Sequence, residues 1–364
     1  MLSSLMKERF LFVGLAVAIL AYATEHSLLG MGRLPVLAAA FVLVVAIILV
    51  STRIAHHAEI LASKVGDPYG TMILTLSAVM VEVVILAIMM QGETSPTLVR
   101  DTIYAAVMLD INGILGLAAL LGGIRHGEQP YNDDSGKTYG VMILTAMGIS
   151  MVVPEFVPRA SWHLYSAFTI GAMIALYGLF LRMQVGAHSY FFSYAYPRAE
   201  KKDRPAGGTP QEEEPATLSI AVIVAGVVLI GALAEVMSVL LGAGLKGSGA
   251  PPALMAIVVA AISAAPEILT ALRAALANRM QSVVNIAMGA SLSTVILTVP
   301  VMEAIALYTG QPFVMAMSPT QTVMVTITLI AAAINLNDGE TNAIEGMTHF
   351  ILFATFVMLT LIGL

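Results

Sequence analysis

The sequence contains no cysteine and little charge: only 11% of its 364 residues are Asp, Glu, Lys or Arg. The lack of cysteine excludes disulfide bonds, thiolate metal sites and cysteine nucleophiles. A soluble domain carries roughly 25% charged residues, so the composition excludes a single soluble domain as well. The 17 basic residues form no stripe of the kind that binds nucleic acid, and we expect no nucleic-acid partner.

Hydrophobic residues make up 58% of the chain, and the mean hydropathy is +0.89. About 20 apolar residues are needed to cross the roughly 30 Å core of a bilayer. The sequence therefore predicts an all-α polytopic membrane protein with about eleven transmembrane helices. The predicted helices cover residues 10–24, 34–51, 71–90, 103–122, 139–157, 161–184, 217–241, 251–277, 283–303, 318–335 and 345–363.

A charged stretch, 198–216 (RAEKKDRPAGGTPQEEEPA), is rich in Pro and Gly and has no large apolar residue. Such a composition predicts a solvated linker. We therefore divide the chain into an extra N-terminal helix (1–33), a first repeat (34–185), a cytoplasmic linker (186–216) and a second repeat (217–364). Each repeat holds an odd number of predicted helices, which gives the two halves opposite orientations. Inverted repeats of this kind are common in secondary transporters.

The basic residues predict the orientation of the chain, because cytoplasmic loops retain Lys and Arg. A cytoplasmic N-terminus places all but Arg33, Arg100, Arg159 and Lys246 on the cytoplasmic side. We therefore expect the N-terminus inside and the C-terminus outside. On the cytoplasmic side, the segment 53–65 has apolar residues along one helical face, which predicts a short interfacial helix.

Two glutamates lie near the centres of predicted membrane helices, where a carboxylate costs roughly 2.5–3.5 kcal/mol. Glu82 lies within 71–90 and Glu267 within 251–277, one in each half. Two carboxylates that meet at the midplane could bind a hard cation through oxygen or bind protons instead. The sequence thus predicts a metal site made by Glu82 and Glu267, at which a cation and protons compete. The alternative is a pair of inert, protonated carboxyl groups.

Polar residues near these glutamates are further candidates for the cation and proton site. Pro266 lacks an N–H and predicts a helix break that frees backbone carbonyls beside Glu267. Asp110 is a third intramembrane acid, either a ligand, a proton relay or a bystander. The remaining candidates carry a hydroxyl or amide oxygen: Ser77, Asn112, Ser263, Asn285 and Ser291.

Three acidic residues in predicted loops are candidates for the entrance to the site: Asp67, Asp338 and Glu340. Ordinary turn chemistry explains them equally well. The sequence has no H-E-x-x-H motif, Walker loop, G-x-S-x-G motif or Rossmann fingerprint. We therefore expect neither an enzyme nor a nucleotide-binding protein.

Three segments carry a resemblance to a known family: GDPYGTMILTLSAVMVEVVILAIMM, LVRDTIYAAVMLDINGILGLAALLGG and SAAPEILTALRAALANRMQSVVNIAMGASLSTVILTVP. In these segments the chain resembles the bacterial ChaA-type cation/proton antiporters, a branch of the calcium/cation antiporter superfamily. The resemblance implies two inverted repeats of five helices plus one extra helix, a bacterial inner-membrane location and ion-binding acids at Glu82 and Glu267. It also implies exchange of Ca²⁺, Na⁺ or K⁺ for protons, with no cofactor. Many superfamily members have an Asn in a G-N-x-x-E pattern, whereas this chain has Ser77 and Ser263 ahead of its glutamates.

The expected function is therefore secondary active antiport of a cation, Ca²⁺ in the first place and otherwise Na⁺ or K⁺, against protons. Alternating access between the two halves is the expected mechanism, with inorganic cations, protons and the lipid bilayer as partners. One alternative is a passive cation channel that uses the same acids for selectivity. Another is a membrane enzyme or a scaffold that does not transport.

Overall fold

The computed structural model describes residues 8–65, 69–91, 95–186, 188–194, 215–251, 253–311 and 313–364. Asp67 and most of the predicted linker lie outside these residues. Ten helices of the described chain are long and apolar enough to cross a membrane, and an eleventh has 17 residues. This confirms the predicted all-α membrane architecture. We label the helices α1 (Arg9–Leu29), α2 (Arg33–Val65), α3 (Tyr69–Gln91), α4 (Leu98–His126), α5 (Asp133–Phe156), α6 (Trp162–Val185), α7 (Ala216–Leu245), α8 (Ala253–Leu276), α9 (Met280–Thr309), α10 (Pro319–Asn335) and α11 (Ala343–Leu361).

Helix α2 runs without interruption for 33 residues, so the prediction of a separate interfacial helix over 53–65 is wrong. At 1.5 Å per residue its length is about 50 Å, more than the thickness of a bilayer core. Ile54, His57 and Ala58 are buried, and the His57 ring lies 3.2 Å from the hydroxyl of Ser219 on α7. The first part of the apolar face of this segment therefore packs against protein, whereas Val65 at its end is exposed.

Four helices form the centre of the bundle: α3, α4, α8 and α9. Helix α8 packs against α4, helix α3 packs against α9, and α4 and α9 contact each other. Helices α4 and α9 are the most deeply buried of the described spans. In each, most of an apolar 18-residue stretch is buried inside the protein, 72% in α4 and 67% in α9. Around this centre, α2 and α7 form the most extensive helix pair of the bundle.

Two of the four central helices, α4 and α9, each contain a π-helical segment. The segment of α4 is Met108–Leu115 and that of α9 is Thr294–Thr298. A third π-helical segment, Gly148–Val152, lies in α5. π-Helical turns are rare and occur frequently at functional sites. The segments of α4 and α9 hold several of the polar side chains described below.

A small antiparallel strand pair closes one end of the bundle. Strand β1 (Gln129–Pro130) follows α4, strand β2 (Glu340–Thr341) precedes α11, and Gln129 is paired with Thr341. The buried amide of Gln129 also donates a hydrogen bond to the carbonyl of Ala275 at the end of α8. The loops of the two halves are therefore tied together at this end.

Glycines allow α4 and α11 to pack backbone against backbone. A Cβ atom placed on Gly346 would lie only 2.7 Å from the carbonyl oxygen of Gly116 and would also clash with the backbone of Leu120. Small residues at such crossings allow the close approach that stabilises helix pairs in membranes.

We expect Gly346→Ala to destabilise the protein by about 1–3 kcal/mol, the usual range for an overpacked contact. The matched control is Gly140→Ala, because a Cβ atom on Gly140 meets nothing within 4 Å. Thermal unfolding in detergent, followed by circular dichroism, measures both variants. Equal melting temperatures for the two variants would contradict the close packing of α4 and α11.

Candidate cation and proton site

Glu82 lies inside the bundle on α3, with only 4% of its surface exposed. Its Oε2 atom accepts hydrogen bonds from the hydroxyls of Thr294 and Thr298 on α9, each at 3.0 Å. Its Oε1 atom is buried and has no hydrogen-bond partner in the described chain. One carboxylate oxygen is therefore held in place while the other is available to a ligand.

Glu267 on α8 also has a buried carboxylate oxygen, Oε2, without a hydrogen-bond partner in the part of the chain that the structure describes. The residue as a whole is half-buried, so its surroundings are more open than those of Glu82. Glu267 lies within electrostatic range of Glu82. The two carboxyl groups therefore repel each other when both are charged.

Asp110 adds a third acid, from the π-helical segment of α4. It is 2% exposed, and its Oδ2 atom accepts a hydrogen bond of 3.2 Å from the hydroxyl of Ser291 on α9. Asp110 lies within electrostatic range of both Glu267 and Glu82. Acids from α3, α4 and α8 therefore share one region with hydroxyls from α9.

The hydroxyls of α9 come from Ser291, Thr294 and Thr298, which recur at intervals of three and four residues. This spacing places them along one face of a helix. The spacing is visible in the sequence, but of the three only Ser291 is among the sequence-predicted candidates. Their contacts show that α9 of the second half faces the acids Glu82 and Asp110 of the first.

The two candidate serines lie on the glutamate helices. Ser77 is 7% exposed and precedes Glu82 on α3 by five residues. Ser263 lies one turn before Glu267 on α8, and its hydroxyl donates to the backbone oxygen of Ala260 at 3.1 Å. No described hydrogen bond joins either serine to a glutamate.

The predicted helix break at Pro266 is wrong, because α8 continues as one helix from Ala253 to Leu276 with the proline inside it. A proline removes one donor, so only the carbonyl of Ile262 loses its usual partner. Helix α8 packs against α4, and this contact, which a sequence pattern does not show, holds the helix in place at the proline. Membrane helices tolerate proline where neighbouring helices hold them in place.

Asn112 and Asn285 belong to other hydrogen-bond networks. The amide of Asn112 donates to Thr328 at 2.7 Å, and its oxygen lies 2.8 Å from the Nδ1 atom of His349. Asn285 is bonded to Gln281 and to the backbone oxygen of Phe192, at the end of the bundle where α9 begins. Neither amide forms a described hydrogen bond with Glu82, Asp110 or Glu267.

The candidate entrance residues Asp338 and Glu340 are exposed in the connection between α10 and α11. The Oδ1 atom of Asp338 accepts a hydrogen bond of 3.2 Å from the backbone N–H of Glu340, which is ordinary turn chemistry. Tyr131 lies nearby in the connection between α4 and α5. Burial, and then the charge of Asp338, raise the pKa of the Tyr131 phenol.

Within the described residues, no three His, Asp or Glu side chains converge closely enough to hold a metal ion by themselves. A cation in this region would therefore combine carboxylates with neutral oxygens. Hydroxyl groups and water are available for that purpose, and Ca²⁺ accepts six to eight oxygen ligands of such mixed kinds.

Comparison with known proteins agrees with this architecture. The family model for the sodium/calcium exchanger protein matches residues 35–186 and again residues 218–362. The sodium-potassium/proton antiporter ChaA of Escherichia coli is 34% identical over 307 residues, which cover 84% of each chain. The Ca²⁺/H⁺ antiporter ChaA of Bacillus subtilis is 24% identical over 324 residues, 87% of this chain and 89% of that protein.

A crystal structure of the Ca²⁺/H⁺ antiporter protein YfkE has the same fold, with a TM-score of 0.75 and 15% sequence identity. The match covers 97% of this chain and 98% of the other. These findings confirm the resemblance to ChaA-type antiporters and the expectation of a transporter rather than an enzyme. The chain belongs to the sodium/calcium exchanger family, within the calcium/cation antiporter superfamily.

Proposed function

We propose that the chain is a secondary active antiporter that exchanges a cation for protons across the bacterial plasma membrane. One observation carries the proposal: Glu82 and Glu267 each present a buried carboxylate oxygen with no hydrogen-bond partner in the described chain. Leaving a charged group unsatisfied in the interior costs more than the roughly 1–3 kcal/mol of a neutral one. A cation or a proton removes this cost, and both can use the same oxygens.

Charge balance explains how the flux of the cation and the flux of protons would be coupled. When two carboxylates exchange one Ca²⁺ for two protons, the net charge of the pocket is the same in both loaded states. Exchange of one Na⁺ or K⁺ for one proton gives the same balance. The unloaded pocket holds repelling charges in a region of low dielectric, where such repulsion is strong. Movement of an empty pocket is therefore disfavoured, and this couples the two fluxes.

We propose that the halves 34–185 and 217–364 are inverted repeats that rock against each other to give alternating access. Their central helices correspond in form. Helices α3 and α8 have 23 and 24 residues with a glutamate near the middle. Helices α4 and α9 have 29 and 30 residues, and each includes a π-helical segment. The separate family matches to the two halves support this division.

The distribution of Lys and Arg supports a cytoplasmic N-terminus and an external C-terminus. In this orientation the strand pair β1–β2, Asp338 and Glu340 lie on the cytoplasmic side. We propose that these two acids, together with Asp67, attract cations to that side. Residues 1–33 would then be a helix outside the repeat, and 186–216 a cytoplasmic linker.

Calcium is the first candidate for the cation, because two carboxylates, nearby hydroxyls and water suit a divalent ion that prefers oxygen. Sodium and potassium form the second candidate, because the E. coli relative at 34% identity is named a sodium-potassium/proton antiporter. The candidate ligands proposed for either cation are Ser77, Glu82, Asp110, Ser263, Glu267 and Ser291. Asn112 and Asn285 are not proposed as ligands, because their amides are bonded elsewhere.

Purified protein in sealed vesicles tests the function. An internal pH dye reports proton movement while Ca²⁺, Na⁺, K⁺ or Mg²⁺ is added separately outside. An antiporter moves protons against the added cation in a fixed ratio, even when ionophores clamp the membrane potential. A cation flux without obligatory proton movement would instead support the channel alternative.

Glu82→Gln and Glu267→Gln should each abolish exchange while leaving folded protein in the membrane. Glutamine keeps the size of the side chain but cannot carry the negative charge that a cation needs. The matched control is Glu155→Gln, because Glu155 is exposed at the end of α5. Normal flux in either test variant would remove that glutamate from the mechanism.

Thr298→Val should raise the KM for the cation by roughly one to two orders of magnitude. The substitution removes one of the hydroxyls that hold Oε2 of Glu82. A hydrogen bond to a charged group contributes about 1.5–3 kcal/mol, and each 1.4 kcal/mol is tenfold in affinity. Thr326→Val is the control, because Thr326 is exposed and donates within its own helix. An unchanged KM would show that this hydroxyl does not orient the site.

A further inference from the structure

A fourth buried acid, Glu303, lies apart from the pocket of Glu82 and Glu267. It is 3% exposed and follows Thr298 on α9 by five residues. Its Oε2 atom lies 2.5 Å from the hydroxyl oxygen of Thr169 on α6. Glu303 therefore faces the interface between α6 and α9, whereas Thr298 faces α3. Glu303 is not among the site residues that the sequence predicts.

No positive charge in the described part of the chain acts on Glu303. The groove beside it, between α6 and α9, is apolar and is lined by residues such as Ile170, Pro300 and Ala304. In the described chain Thr169 is the polar side chain that bonds to it. The titratable groups beside Glu303 in the described structure are phenols: Tyr165 of α6, on which the charge of Glu303 acts, and Tyr177 and Tyr308, which line the groove. The arginines of the helices packed against α9, such as Arg100, Arg125 and Arg182, lie near helix ends and are not among the groups that act on Glu303. A charged Glu303 would be an uncompensated anion in an apolar interior, which is very costly.

The hydrogen bonds of Thr169 also indicate that Glu303 is protonated. The Thr169 oxygen lies 2.9 Å from the carbonyl oxygen of Ser166 and 2.5 Å from the carboxyl oxygen of Glu303. A threonine hydroxyl has one hydrogen to donate but can also accept. Two full hydrogen bonds form only when Thr169 donates to Ser166 and Glu303 donates to Thr169; otherwise one hydrogen is shared between two acceptors. The second bond requires a proton on Glu303.

We propose that Glu303 is a second proton-binding site, separate from the pocket of paired glutamates, and that its loss of a proton limits exchange at alkaline pH. Release of the proton would place a bare charge between α6 and α9 and would leave Thr169 with two acceptors for one hydrogen. The contact between α6 and α9 would weaken. Helix α9 also carries the hydroxyls that hold Glu82 and Asp110, so the pocket would be disturbed. The inference about exchange rests on the proposed antiport function.

Glu303→Gln is the direct test, because the glutamine amide can donate to Thr169 as the protonated acid does, at every pH. We expect the unmodified protein to lose exchange activity at alkaline pH in vesicles, and Glu303→Gln to exchange cations at neutral pH and to keep its activity at alkaline pH. Glu155→Gln should follow the unmodified protein throughout. Superimposable pH profiles for the unmodified protein and Glu303→Gln would overturn the proposal.

Infrared spectroscopy tests the protonation without any transport assay. The carbonyl stretch of a buried carboxylic acid should be present in the unmodified protein at neutral pH and lost in Glu303→Gln but kept in Glu155→Gln. Identical spectra for the unmodified protein and Glu303→Gln would show that Glu303 is ionised and would overturn the proposal. Failure of the antiport function has a different signature, because the unmodified protein would then show no coupled flux while this band would remain.

Discussion

A carboxylate inside a membrane protein has to be neutralised, and the structure around Glu82 orients the charge without neutralising it. Hydroxyls from α9 donate to one oxygen of Glu82 and to one oxygen of Asp110. Such bonds hold a carboxylate in position but leave its charge in place. In the proposed function, the compensating positive charge comes from an ion that enters and leaves. On this proposal, the contact between the two most buried helices, α4 and α9, holds these carboxylates in position for the ion.

Much of this architecture could be predicted from the sequence, because a membrane-spanning helix needs a long apolar run that is easy to see. The same argument makes Glu82 and Glu267 the candidates for the site, since an acid in such a run is costly and needs an explanation. Both predictions depend on local composition and on the bilayer as a solvent. Neither requires knowledge of which helices are neighbours.

The features that the sequence did not reveal depend on contacts between distant segments. The face of α2 near His57 looked like a membrane surface, although α7 covers it. Pro266 looked like a helix break, although the helix continues beside α4. Asn112 and Asn285 looked equivalent to Ser291, yet each amide is bonded elsewhere. A polar side chain in a membrane helix indicates that a partner is needed, but the fold decides which partner it finds.

In the proposed function, a cation and protons compete for the free oxygens of Glu82 and Glu267. Proton release on cation binding tests this claim most directly, since it requires no transport. Purified protein in weakly buffered detergent solution is titrated with Ca²⁺, and in parallel with Na⁺ or K⁺, while pH and bound cation are recorded. The account predicts that protons leave in proportion to the charge of the cation bound. Cation binding without proton release, over the pH range in which exchange occurs, would contradict it.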